Sequence, residues 1–213
     1  AFKAFFRRVR AGDKPGYPRF RGQGRYDSFC YPQAPSGCHL QGDRLTLSKI
    51  GSVRVVLHRP EEGTPKTVCI RRSSTGRWYA MFSCENVPAP ALPASREAVG
   101  IDVGLTTFAA LSTGETIENP RFFRREEQAL ARAQRRLSRE AKGTAQRRKR
   151  KRVVALVHER TSNRRRDFAH QHSRRIVNRF GVICVEDLAI NRMVHNHCVA
   201  KSIMDAAWSQ FAA

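Results

Sequence analysis

Residues 121–180 limit most what this chain can fold into. They hold 21 Lys/Arg against 5 Asp/Glu, and a stretch so charged cannot fill a protein interior. Yet apolar side chains recur along it at three-to-four spacing. Phe123, Leu130, Ala133 and Leu137 mark one run; Val153, Val157, Phe168, His172, Ile176 and Phe180 mark another. That period predicts helices with one inward stripe and a basic exterior. Asn119 and Pro120 suit the N-cap and first position of the first helix, and Gly143 suits its end. A second, longer helix is expected from about 145 to 179. Together they read as a basic antiparallel hairpin over about 120–180.

The whole chain has 213 residues with 40 Lys/Arg and 18 Asp/Glu, a net charge of +22, and the hairpin segment supplies 16 of those charges. The excess is mostly arginine, whose planar fork matches phosphate. The candidate contacts are Arg135 and Arg136, the run Arg147, Arg148, Lys149, Arg150, Lys151 and Arg152, and the triplet Arg164, Arg165 and Arg166. A solvated helix face would carry similar charge, but a periodic, foldable segment favours a polyanionic partner, nucleic acid above all. Hydrophobic residues make up 40% of the chain, which argues against global disorder. No apolar run approaches the roughly 18 residues of a membrane helix, and the start lacks the features of a secretory signal. A cytoplasmic protein is expected.

Upstream, residues 1–14 read as the end of a helical region, with Phe2, Phe5, Phe6 and Val9 on one face. The chain opens inside that pattern without methionine, as if more preceded it. Residues 13–25 are turn-rich and basic. There Tyr17 and Phe20 alternate with Arg19 and Arg21, a mixture that suits unpaired bases and phosphate, or equally a loop pinned by two aromatics. Short β-like runs follow at 26–31, 37–40, 44–47, 53–57, 66–72 and 78–85, separated by Pro and Gly turns. They predict a small antiparallel barrel or sandwich at 15–90, with 66–72 and 78–85 as a hairpin. Prolines 88, 90 and 93 mark a linker, taken as 91–97. None of the six cysteines has C-x-x-C spacing, so no zinc site is expected here. Reduced thiols are the default, with Cys69, Cys84 and Cys184 as buried packing groups.

From 98 onward the order reads β-β-β-α-α-β-α. Asp102 interrupts the apolar strand at 98–103, and Glu186 ends a strand at 181–185 read as buried. A carboxylate in an apolar strand is costly unless paired or bound to metal. Two of them on neighbouring strands could hold Mg²⁺ (or Mn²⁺) and hydrolyse phosphodiesters by the two-metal route, with Asp102 and Glu186 as catalytic and metal-binding residues. The bland alternative is two unrelated surface acids.

Several blocks resemble the OrfB/TnpB family of transposon-encoded RNA-guided nucleases, relatives of type V CRISPR effectors. Gly100-Ile101-Asp102-Val103-Gly104-Leu105 with Thr107-Phe108-Ala109 resembles the first RuvC motif. Glu118-Asn119-Pro120-Arg121-Phe122, then Gln134-Arg135-Arg136-Leu137-Ser138, then the block from His158 to His170 follow in family order. Val185-Glu186-Asp187-Leu188 resembles the second RuvC motif, KSIMDAAWSQF at 201–211 a family helix, and GYPRFR at 16–21 the entry to the family's oligonucleotide-binding barrel. The resemblance implies an α+β architecture: a wedge-type β-barrel, then an RNase H-like (RuvC) mixed sheet at 98–213 with the basic hairpin inserted and its C-terminal part cut short. It implies Asp102 and Glu186 as the first two metal carboxylates, a guide RNA from the transposon end, a DNA target, and a prokaryotic cytosol or nucleoid. His158, Asn163, Asp167 and His170 match family positions and read as structural or RNA-contacting.

The family's third RuvC acid and its zinc ribbon would lie beyond Ala213. Asp187 and Asp205 are the acids here that could stand in for the third one. Two function classes therefore stand: a metal-dependent, RNA-guided DNA endonuclease, and a catalytically inactive RNA- or DNA-binding fragment or relic of one.

Overall fold

A computed structural model describes residues 2–17, 22, 26–34, 36–88, 91–92 and 95–212. The chain divides into two units, 1–88 and 89–213.

The first unit opens with helix α1 (Phe2–Arg10), none of whose residues is buried. Six strands follow: β1 (Ser28–Tyr31), β2 (Cys38–Gln41), β3 (Arg44–Leu47), β4 (Gly51–Arg54), β5 (Thr64–Arg72) and β6 (Trp78–Glu85). They do not close into a barrel. They pair as two three-stranded antiparallel sheets, ordered β1-β5-β6 and β2-β3-β4. The expected hairpin is present as β5 and β6, with Val68 opposite Phe82 and Ile70 opposite Ala80. Alternation supplies each sheet with one apolar face. Leu45 and Leu47 from one sheet and Val68 and Ile70 from the other share a small core with Cys38 and Ala34. Among the described residues this core has six buried members, and the strands are short, four residues each in β1 to β4.

The thiols depart from expectation. Antiparallel register sets Cys30 directly opposite Cys69, and the two form a disulfide. Cys184 is exposed and Cys84 only half-buried, while Cys38 is the buried free thiol, its pKa pushed up by burial.

The second unit is built on four strands: β7 (Ala98–Val103), β8 (Thr107–Leu111), β9 (Thr116–Glu118) and β10 (Val182–Val185), in the order β10-β7-β8-β9. The first three form an antiparallel meander. The fourth returns beside β7 and runs parallel to it. Between β9 and β10 come helices α2 (Phe122–Ser138) and α3 (Ala145–Val177), and after β10 come α4 (Ile190–Met193), α5 (Ala200–Ala206) and α6 (Trp208–Phe211).

One face of the sheet meets the helices. Val99, Ile101, Phe108 and Leu111 pack with Ala169, Ile176 and Phe180 of the α3 region and with Ile203, Trp208 and Phe211. Phe108, 1% exposed, lies edge-on to Phe168 at 5.0 Å and to Phe211 at 5.3 Å. Complete burial of such a ring contributes about 1.5–3 kcal/mol. This cluster fixes α3 and the α5–α6 segment on the sheet that carries Asp102.

Five local expectations are corrected. The first helix starts at Phe122 rather than at Pro120, because Arg121 takes a left-handed conformation (φ 47°). It ends at Ser138, short of Gly143. The terminal segment is two short helices, broken where Ala207 adopts φ 55°. Val153 is exposed, and so are all four residues of β10, which among the described residues pairs with β7 alone and stands at the edge of the sheet.

Candidate functional site

The geometry at Asp102 follows from the two-residue repeat of β7. Val99 and Ile101 point into the helical core, so Asp102 points to the opposite, open face. The carboxylate is exposed rather than buried, and no desolvation cost falls on it. Glu186 is the residue after β10. The last parallel pair is Val185 with Ile101, and Glu186 and Asp102 are the residues that follow them. Neighbouring strands lie about 4.8 Å apart, and partners in a parallel ladder project on the same side. Glu186 is also exposed. Neither acid has an ion pair or hydrogen bond among the described residues.

A pair of exposed carboxylates offers hard oxygen donors, the chemistry that Mg²⁺ and Mn²⁺ select. Among the described residues no group of three or more His, Cys, Asp or Glu side chains gathers into a metal-holding cluster. Asp187, next to Glu186, is exposed. Asp205 is committed elsewhere. Its Oδ1 accepts from the Phe123 amide at 2.8 Å and from Arg165 at 2.7 and 3.2 Å, and its Oδ2 accepts from the Arg124 amide at 3.3 Å. A buried carboxylate from α5 thus caps α2 and holds α3.

The basic residues fall into two groups. Arg165 pairs with Asp205 and is largely buried. Arg164 pairs with Glu126 at 2.9 Å, and Arg166 donates to Asn163 at 3.0 Å. Arg147 donates to the Leu137 and Glu140 carbonyls, closing the end of α2. Arg150 is half-buried beside Glu140. Arg135 leans on the Ala131 carbonyl at 3.4 Å. These contacts build the hairpin. By contrast Arg136, Arg148, Lys149, Lys151 and Arg152 are exposed with no acidic partner among the described residues. Sequence reasoning missed three more of that kind. Arg125 and Arg132 on α2 and Arg139 at its C-cap are exposed with no acidic partner among the described residues, and their seven-residue spacing was the available signal. In the first unit, Tyr17 is 83% exposed with its ring 5.3 Å from that of Phe5. Arg19, Phe20 and Arg21 lie outside the described residues.

Other ion pairs tie the second unit together. Glu115 receives Arg179, and Arg175 lies 3.7 Å away. The hydrogen bond from Arg179 holds the Glu115 carboxyl below its ordinary range. Lys201 does the same to Glu127. His172 packs against the Phe168 ring at 4.4 Å, and burial, with Arg175 nearby, lowers its pKa.

Residues 81–197 match the profile of the OrfB family of IS605-type elements, described as "probable transposase". The chain is 38% identical over 213 residues to a Streptomyces pristinaespiralis protein named "putative RNA-guided DNA endonuclease", covering 99% of this chain and 51% of that one. It is 32% identical over 193 residues to the Escherichia coli K12 protein named "putative RNA-guided DNA endonuclease InsQ", covering 91% of this chain and 46% of that one. The chain thus spans about half the length of these relatives.

Proposed function

Because the chain belongs to the OrfB family of IS605-type elements, we propose that it carries part of a metal-dependent, RNA-guided DNA endonuclease acting in the prokaryotic cytosol. The observation that carries this reading is the β7–β10 register, whose last pair, Ile101 with Val185, is followed on each chain segment by an exposed acid, Asp102 and Glu186. The strand order β10-β7-β8-β9, with only β10 parallel to β7, supports an RNase H-like (RuvC) domain. The two antiparallel sheets of the first unit support a wedge-type β-domain ahead of it. No helix among the described residues is long and apolar enough to cross a membrane.

In this reading Asp102 and Glu186 would hold Mg²⁺ or Mn²⁺, which when bound supplies an activated water and charge stabilisation for phosphodiester hydrolysis. The parallel pairing of β7 and β10 ends one residue before each acid, which supports their acting together. The guide RNA and its hybrid with target DNA lie along the unpaired cations of α2 and α3. Arg136, Arg148, Lys149, Lys151 and Arg152 meet phosphates, while Arg147, Arg150, Arg164 and Arg165 hold the helices that present them. Tyr17, Arg19, Phe20 and Arg21 serve unpaired nucleotides of the guide.

The test is cleavage of labelled DNA programmed by a guide RNA in Mg²⁺, comparing the wild type with Asp102→Ala and Glu186→Ala. Cleavage in the wild type alone, with RNA binding intact in all three, supports the endonuclease. A second reading is a catalytically inactive RNA- or DNA-binding fragment. The lack of a third acid beside the pair among the described residues favours it. RNA binding without cleavage in the wild type would select it.

A further inference from the structure

A cleft of about 490 Å³ opens where the β7–β8 turn, the start of α2 and α5 meet. Thr106, Asn119, Arg121, Arg124, Ser202 and Asp205 line it. Asp205 contributes no free charge, because its oxygens are taken by two α2 amides and Arg165. The same contacts occupy the Phe123 and Arg124 amides, so the cleft is not an open helix N-terminus. Its available groups are side chains. The Thr106 and Ser202 hydroxyls have no hydrogen-bond partner among the described residues, and the Arg121 guanidinium has no acidic one. Arg124 reaches Glu127 only at 3.4 Å, and Glu127 also receives Lys201.

Arg121 stands in an unusual backbone state. Its φ of 47° and ψ of 49° belong to the left-handed region, which glycine occupies far more easily. Asn119 holds it there: Asn119 Nδ2 donates to the Leu105 carbonyl at 2.9 Å, and its Oδ1 accepts from the Arg121 amide at 3.1 Å. A position shaped for glycine but filled by an unpaired arginine beside a cleft suits a role for the guanidinium itself. Two arginines with two free hydroxyls form a donor set for a tetrahedral oxyanion.

We propose that this cleft holds a backbone phosphate of the bound nucleic acid strand, with Arg121 as its principal contact. The proposal rests on the nucleic-acid reading above but not on cleavage. Thr106 lies four residues beyond Asp102, at most about 13 Å along an extended chain. A strand whose phosphates advance about 3.4 Å per nucleotide along its axis would set a flanking phosphate here, a few nucleotides from the one at the acid pair. The cleft is therefore a register pin for the strand.

The experiment measures binding of a labelled single-stranded DNA oligonucleotide by fluorescence anisotropy, without divalent metal. Single neutral methylphosphonates are scanned along the strand. The variants are Arg121→Gly, which suits the observed φ, and Thr106→Val. In the wild type, one position in the scan weakens binding about tenfold, the scale of a lost charge-assisted hydrogen bond. In Arg121→Gly that position loses its effect, and the thermal midpoint does not fall. Binding with no position dependence, or a position dependence that Arg121→Gly retains, overturns the cleft and leaves the wider nucleic-acid reading standing. No DNA binding at all sinks both. Displacement by inorganic phosphate without any position effect would mark a free-anion site and also overturn the proposal.

Discussion

Replacing Asp205 by alanine should unfold the second unit more readily than any single change at the acid pair. Asp205 is 6% exposed and its carboxylate serves three elements, capping α2, pairing with α3 and projecting from α5. Removing one member of a buried ion pair costs about 3–5 kcal/mol, because the partner is left charged and dry. Arg165 keeps 21% of its side-chain surface exposed, so water relieves part of that cost. Loss of the cap on the Phe123 and Arg124 amides adds about 0.5–2 kcal/mol, but the two losses share one carboxylate and do not sum fully. We expect about 3 kcal/mol for Asp205→Ala, a fall of about 6–12 °C in the midpoint. Asp205→Asn keeps a capping oxygen and loses only the charge, so about 1–2 kcal/mol is expected. The assay is urea unfolding followed by circular dichroism, with Arg165→Ala and the double variant completing a cycle. A loss under about 0.5 kcal/mol for Asp205→Ala, the scale of an ordinary surface change, would refute the reasoning. So would strict additivity with Arg165→Ala.

Four other outcomes follow from the same geometry. Changing Arg148, Lys149, Lys151 and Arg152 together to glutamine should lower the slope of log K against log salt by about 3 in an RNA-binding titration, at 0.7–0.9 per phosphate. Arg164→Gln, already paired with Glu126, should leave the slope unchanged and cost at most about 1 kcal/mol of stability. The His172 pKa is lowered in the folded chain, so its protonation favours unfolding: stability should be fully present above about pH 6.5 and fall as pH drops through the folded pKa, and His172→Gln should flatten that part of the curve in denaturant melts at several pH values. A Cβ on Gly181 would overlap the Ser95 carbonyl, so Gly181→Ala should lose about 1–3 kcal/mol by the same melts, through a forced shift of the chain entering β10.

What could be read in advance was local. The two-residue alternation at 66–72 and 78–85 and the turn between them define the β5–β6 hairpin without help from the rest of the chain. The spacing of Leu130 and Ala133, and of Phe168 and Ile176, shows which helical faces turn inward. Asp102 stood out because an acid inside an apolar strand is conspicuous, although its exposure depends on which face of the sheet the helices cover. What could not be read depends on distance. Asp205 caps amides more than 80 residues away, so the local signal at Asn119 and Pro120 set the start of α2 too early. The arginines divide into structural and free ones according to where Glu126, Glu140 and Asp205 end up, and composition is blind to that. Cys30 meets Cys69 only through strand register. The exposure of β10 is likewise a matter of neighbours: GVICV at 181–185 is apolar enough for a buried strand, but pairing on one side leaves it an edge.

The central claim is that Asp102 and Glu186 form one metal site. Titrating the chain with Mn²⁺ and following water-proton relaxation reads that site directly, without requiring cleavage. One site in the wild type, lost in Asp102→Ala and equally in Glu186→Ala while Asp187→Asn retains it, is the predicted result. Mn²⁺ binding that survives both Asp102→Ala and Glu186→Ala, or that is absent from the wild type, would contradict the account.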